Sequence, residues 1–201
     1  YPEAFVAALT EAGWLAALIP EAYGGGGLTL TEASVILEEI NRSGANSGAC
    51  HAQMYIMGAL VRHGSEAQKR RYLPELAAGR LRLQSFAVTE PTTGTDTTQT
   101  RTTAVRRGDR YVVNGQKVWI SRVQHSDLML LLARTTPLEQ VTKKTDGLSM
   151  FLMDLRGAEA LCFAHGRQAV DRVLAEMVDR LWALARRSDT VARTGAARLC
   201  V

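Results

Sequence analysis

The chain reads as an α+β protein. The sequence predicts an N-terminal all-helical domain over residues 1–82, then an incomplete antiparallel β-barrel-like domain over 83–157, and a helical tail over 158–201. Three observations predict this. Through the first eighty residues apolar side chains recur at the spacing of a helix face. From Leu83 onward they fall into short runs separated by turn-forming residues, the mark of strands. The helical blocks also precede the strands instead of alternating with them, which argues against a parallel α/β sheet.

The helices come in order. Ala4 to Trp14 brings Phe5, Val6, Leu9 and Leu15 together, and Gly13 interrupts or ends the turn. Thr29 with Glu32 forms a capping box, each side chain satisfying an orphan backbone N–H of a second helix. That helix is expected to turn Val35, Ile36, Leu37 and Ile40 inward and to stop near Gly44. The third is expected from Asn46 to His63, with Gly64 as a left-handed cap. Ser65 with Gln68 opens a short helix through Tyr72, and Pro74 to Ala78 adds a further turn closed by Gly79. The Gly24–Gly27 run lacks the Lys-Ser/Thr of a phosphate loop and reads as a flexible turn.

Leu83–Val88, Arg101–Arg107, Arg110–Val113, Ser126–Ala133 and Leu148–Leu155 are the predicted strands. Asn114-Gly115 is a strong hairpin signal, because a type I′ turn needs positive φ at both central residues. Its register opposes Val113 to Gln116, Val112 to Lys117, Tyr111 to Val118 and Arg110 to Trp119. Trp119 and Ser121 then share the wetter face, where a Trp meets a ligand or another domain rather than plain core. In the tail, Gln168 to Arg187 carries an apolar helical stripe with Arg as its only basic residue, read as a helix packed on its own domain or as a partner surface; 188–201 is expected to be irregular.

Composition narrows the function classes. At 201 residues, 46% hydrophobic and 22% charged, the chain is long enough to bury a sizeable core. Cys50, Cys162 and Cys200 show no paired spacing, which predicts reduced thiols and a cytoplasmic setting. No apolar run reaches the ~20 residues of a transmembrane helix, and the first residues lack a signal-peptide pattern. The net charge of +4 is uneven. Residues 1–81 hold six basic and eight acidic side chains, whereas 82–157 hold eleven and seven. A basic middle segment suits an anionic ligand such as a nucleotide or CoA phosphate; an ordinary solvated surface explains it equally. Nucleic-acid binding is not expected, since no basic stripe alternates with aromatics and no recognition motif appears. His51, His63, His125 and His165 lack the spacing of a shared metal site, and no nucleophile elbow is present.

Two segments remain. In Thr89-Glu-Pro-Thr-Thr-Gly-Thr-Asp96, Pro91 fixes φ and Gly94 permits positive φ, so backbone N–H groups can turn toward one partner. Such a nest suits a carbonyl-rich heterocycle or an anion; a hydroxyl-rich turn joining two strands is the plain alternative. The second segment, Asn114-Gly-Gln-Lys-Val-Trp-Ile-Ser121, adds a hydroxyl and a large ring.

Four motifs in order and in register resemble the acyl-CoA dehydrogenase family: Ile19-Pro-Glu-Ala-Tyr-Gly-Gly25, Lys69-x-x-Tyr-Leu-Pro74 with Gly79, Val88-Thr-Glu-Pro-x-x-Gly-Thr-Asp96, and Asn114-Gly-Gln-Lys-x-Trp-Ile-Ser121. The resemblance spans residues 1–155. It implies FAD as cofactor and oxidation of an acyl-CoA thioester across its α and β carbons, a base taking the α proton while the flavin takes the β hydride. It also implies an electron-transferring flavoprotein as partner and a homo-oligomer. By the same resemblance Phe86, Ala87, Val88, Thr89, Gly94 and Thr95 line the flavin. Thr89 bonds its pyrimidine edge, and Thr95 touches both cofactor and substrate. Trp119, Ile120 and Ser121 cover the ring, with the Ser121 hydroxyl near N5. Ser47, Gly48, Cys50, His51 and Met54 resemble the helix flanking the acyl chain.

The chain departs from the family where Ser121 replaces a frequent Thr. Past Gly157 the resemblance is expected to stop, and the bundle that carries the family's catalytic carboxylate has no counterpart. No base is named; Glu90 reads as a backbone anchor. An unfinished barrel predicts poor solubility and weak or absent FAD binding for this chain alone. A non-catalytic remnant or interaction module that keeps the fold is the alternative function.

Overall fold

The computed structural model describes residues 1–156, 192–195 and 198–200. Helices α1 (Glu3–Glu11), α2 (Leu30–Arg42), α3 (Gly48–His63) and α4 (Glu66–Ala77) come first. Strands β1 (Leu83–Ala87), β2 (Thr103–Arg107), β3 (Arg110–Asn114), β4 (Leu128–Arg134) and β5 (Leu148–Asp154) follow. Tyr1–Leu155 is one compact unit and Arg156–Val201 another. In the second unit β6 (Ala192–Gly195) pairs antiparallel with β7 (Arg198–Cys200), where the sequence predicts an irregular end. The helix predicted over 168–187 lies outside the described residues.

Local chemistry sets the helix starts. The Glu32 carboxylate accepts the Thr29 backbone N–H at 2.7 Å and its hydroxyl at 3.0 Å, opening α2. At α4, Ser65 and Gln68 exchange bonds of 2.9 and 3.2 Å in the same way. Several expectations are corrected. Val35 is exposed, because the 100° step of the helix puts Ala33 and Ile40 on the buried face and Val35 away from it. Gly64 is extended, not left-handed, and is needed because a Cβ there would overlap the Leu60 carbonyl. Helix α4 runs unbroken through Pro74; Leu73 and Leu76, both fully buried, hold it across the missing backbone bond. The glycine run is no loose turn, since Gly25, Gly26 and Gly27 donate to the Pro20, Ala16 and Ile19 carbonyls.

The sheet is mixed and open, not an antiparallel barrel. Leu130 of β4 opposes Phe86 of parallel β1 on one edge and Leu152 of antiparallel β5 on the other. Beyond the end of β1 the same edge of β4 meets β2 at Thr103↔Arg134, and β3 lies antiparallel outside β2. A parallel neighbour needs a long crossover, and the chain between Ala87 and Leu128 supplies one. One core joins the helices to the sheet: Ile56, Met57 and Leu60 of α3, Leu73 and Leu76 of α4, and Leu83, Leu128 and Leu130. A second fills the helical layer with Val6, Leu9, Ile40, Cys50 and Met54.

Candidate functional site

The loop after β1 and the segment after β3 meet at Glu90. This side chain is 5% exposed. Its carboxylate accepts the Arg101 N–H at 2.7 Å, the Thr102 N–H at 2.8 Å, the Thr102 hydroxyl at 2.6 Å and the Lys117 ammonium at 2.9 Å. Burial by itself raises the pKa of Glu90, yet these donors outweigh it and hold the group down at about 2. Lys117 also donates to the Val88 carbonyl at 2.9 Å, and the Val118 N–H donates to the Thr89 carbonyl at 2.9 Å. The Ser85 hydroxyl reaches the Ser121 carbonyl at 3.1 Å. The two segments that stand out in the sequence are therefore stitched side by side. Glu90 is the anchor expected of it, and a carboxylate so engaged is no general base.

The route of the second segment differs from the predicted hairpin. Asn114 has no positive φ; it stays in β3 opposite Thr103, so no type I′ turn forms. The turn lies earlier, at Gly108-Asp109, with positive φ at Gly108 alone, and it pairs Arg107 with Arg110. A first-position glycine of this kind is the type II′ pattern. Gly115 is instead used for close approach, since a Cβ there would overlap the Thr102 backbone. Residues 115–120 form no strand, so the expected pairing of Trp119 with Arg110 does not exist.

The predicted residues divide into floor and rim. Phe86 packs on the main core; Ala87 is buried beside Ala104, Leu131 and Ala133, and Ile120 packs against that same cluster. Val88 and Thr89 are half-buried, and Gly94, Thr95 and Ser121 are exposed. Trp119 is 89% exposed and sits at φ 59°, an unusual backbone for a bulky residue. The hydroxyls of Thr89, Thr95 and Ser121 have no hydrogen-bond partner among the described residues. The loop holds its shape through Glu90–Thr93 backbone bonds of 2.9 and 3.2 Å and the Thr93 hydroxyl on the Asp96 carbonyl. No hydrogen bond among the described residues joins Gly94 or Thr95 directly to Trp119–Ser121.

Sequence reasoning missed the residues that brace this arrangement. Lys117 is one. Arg134 is another: buried at 5% exposure, its guanidinium donates to the Thr98, Thr100, Lys144 and Asp146 carbonyls. A single basic residue ending the apolar β4 run was the available signal. Asp127 fixes the start of β1 by accepting the Arg82 N–H at 2.8 Å. Of the residues matched to the acyl-chain helix, Cys50 and Met54 point into the helical core. Burial pushes the Cys50 thiol up to about 11. His51 is exposed against Tyr55, and Gly48 faces Arg122, because a Cβ there would collide with the guanidinium.

Comparison with known proteins places the chain among similar sequences along most of its length. Residues 1–80 match the family model "Acyl-CoA dehydrogenase, N-terminal domain", and residues 85–169 match "Acyl-CoA dehydrogenase, middle domain". The match extends past Gly157, where the sequence reading expected it to end. An acyl-CoA dehydrogenase of Mycobacterium tuberculosis is 38% identical over 74% of this chain and 36% of its own length. The (2S)-methylsuccinyl-CoA dehydrogenase of Cereibacter sphaeroides is 40% identical over 76% of this chain and 27% of its own. The crystal structure of an acyl-CoA dehydrogenase from Geobacillus kaustophilus superposes with a TM-score of 0.68 at 32% identity, covering 77% of this chain and 40% of that one. The chain thus spans about a third of the length of the curated relatives it matches. Among the described residues no helix is long and apolar enough to cross a membrane.

Proposed function

The chain belongs to the acyl-CoA dehydrogenase family, and from that membership we propose that it forms the flavin-facing part of an oxidoreductase acting on the CH–CH bond of an acyl-CoA thioester. The observation that carries this reading is the stitched pair of segments. The hydroxyls of Thr89, Thr95 and Ser121 and the exposed indole of Trp119 lie on the two segments that the buried Glu90–Lys117 pair ties together.

That donor set fits FAD. Thr89 would donate to the pyrimidine edge, where donors favour the charge that accumulates on reduction. Thr95 would contact cofactor and thioester, and a Cβ on the neighbouring Gly94 would meet only open space. Trp119 and Ser121 would help hold the ring, the Ser121 hydroxyl serving as a hydrogen-bonding group toward it. When bound, FAD supplies hydride acceptance from the substrate β carbon. The α proton would go to a base, a role that Glu90, engaged by four donors, does not fill. An electron-transferring flavoprotein is the proposed acceptor, and a homo-oligomer the proposed assembly. Cys50, buried as a free thiol, suits a reducing cytoplasm.

Titration of the chain with FAD, followed by indole fluorescence, tests the reading. Weak but saturable quenching that disappears in Trp119→Phe supports it. An absence of saturable quenching at millimolar FAD overturns it and favours a non-catalytic module with the family fold.

A further inference from the structure

One peptide unit just past β1 is bonded in an unusual way. Strand β1 stops at Ala87. The next carbonyl, that of Val88, accepts the Lys117 ammonium at 2.9 Å. The Val88–Thr89 peptide is trans, so its N–H leaves the opposite edge of the plane, away from Lys117 Nζ. That N–H, on half-buried Thr89, has no acceptor among the described residues. The Thr89 hydroxyl has no partner there either. Backbone donors left unpaired away from bulk water are rare and call for a partner.

The loop has other attachments besides Lys117. The Val118 N–H already holds the Thr89 carbonyl at 2.9 Å, and Glu90 has three further donors in the Arg101 N–H, the Thr102 N–H and the Thr102 hydroxyl. A neutral donor at position 117 would close the same bond to Val88. The lysine instead buries an ammonium to 9% exposure, which carries a desolvation cost. What the charge adds is polarisation. A cation on a peptide carbonyl draws electrons from the N–H of the same resonance-coupled unit, and bonds linked in this way strengthen one another by roughly 10–30%. The Thr89 N–H is thereby a stronger donor than an ordinary amide, and its direction is fixed.

We propose that Lys117 is a positioning residue for the flavin: acting through the Val88–Thr89 peptide, it aims and strengthens the Thr89 N–H as a donor to an oxygen on the pyrimidine edge of the ring. The proposal rests on the reading of Thr89 as a flavin contact. Negative charge collects at that edge on reduction, so a polarised donor favours the reduced ring over the oxidised one. A residue that only braced the loop would favour both alike.

The test is equilibrium dialysis of the full chain with FAD and, without oxygen, with dithionite-reduced FAD. Lys117→Gln keeps a donor and loses the charge. It is expected to weaken binding of the reduced form by about three- to tenfold more than binding of the oxidised form. Lys117→Arg, which keeps the charge, restores at least part of that difference. Circular dichroism checks that both variants are folded. A second measurement needs no substitution at Lys117, whose loss also strips Glu90 of its counterion. In wild-type chain isotopically labelled on threonine nitrogen, Thr89→Ser removes one amide signal and so assigns the Thr89 N–H. Its proton resonance is expected to move downfield when FAD is added. Equal losses for the two forms in Lys117→Gln overturn the proposal. So does a Thr89 N–H signal that stays in place while FAD quenches Trp119. Either result leaves the flavin-site reading standing, whereas binding of neither form of FAD sinks both.

Discussion

Lys117 places its ammonium 2.9 Å from Glu90 Oε1 and 2.9 Å from the Val88 carbonyl, so one side chain ties the end of β1, the loop after it and the segment carrying Trp119 into a single knot. Both partners of the pair are below one-tenth exposed. Removing one of them leaves a buried charge without its counterpart, which costs about 3–5 kcal/mol. Glu90→Gln and Lys117→Met are each expected to destabilise the chain in that range by urea unfolding. The double variant Glu90→Gln/Lys117→Met is expected to be less destabilised than the two singles summed.

Acid weakens the same knot. Glu90 sits at about 2 in the fold against an ordinary 4.5. A depressed carboxylate contributes stability that is fully present above 4.5 and is lost as pH falls from there toward 2. The melting temperature is expected to drop over that window in the wild type and to drop less in Glu90→Gln, as read by circular dichroism.

Trp119 is expected to matter for ligand and not for fold. At 89% exposure its ring contributes almost nothing to the core. Trp119→Ala should change stability by no more than about 0.5 kcal/mol, as for most surface substitutions. It should weaken FAD binding by about tenfold, in line with a lost aromatic contact of roughly 1–1.5 kcal/mol. Equilibrium dialysis with FAD measures the second effect.

Gly115 is expected to be intolerant of any side chain. A Cβ would overlap the Thr102 backbone, whose N–H is one of the donors to Glu90. Gly115→Ala should cost about 1–3 kcal/mol, the usual range for forced overpacking. Gly94→Ala, with open space around it, should cost less than about 1 kcal/mol. Thermal unfolding of the two variants distinguishes them.

Cys50 is fully buried and its thiol is pushed up to about 11, so the reactive thiolate is scarce at neutral pH. Iodoacetamide at pH 8 is expected to leave Cys50 unmodified in the folded chain and to alkylate it fully in denaturant. Peptide mass spectrometry reads both states.

Much of this fold was legible before any coordinates. Capping boxes at Thr29 and Ser65, the helix ends near glycines 13 and 79, and the strands near Leu83, Arg110 and Leu148 are local signals that neighbouring residues decide among themselves. The family motifs likewise marked the loop from Thr89 and the segment to Ser121. The failures at the site involve distant partners. Asn114-Gly115 carries a hairpin signal, yet β2 and the Gly108 turn claimed β3 first and left Gly115 to press against Thr102.

What the sequence determined by itself was therefore the kind and order of the elements through Leu155, and the family whose motifs they carry. Only the tertiary structure decided that β1 and β4 run parallel, that Glu90 and Lys117 are buried together, and that Arg122 stands unpaired beside Gly48. The physical reason is range. Propensity, caps and periodicity act within a turn or two of the chain, whereas burial of a charge and its pairing depend on which remote backbone arrives at the same point.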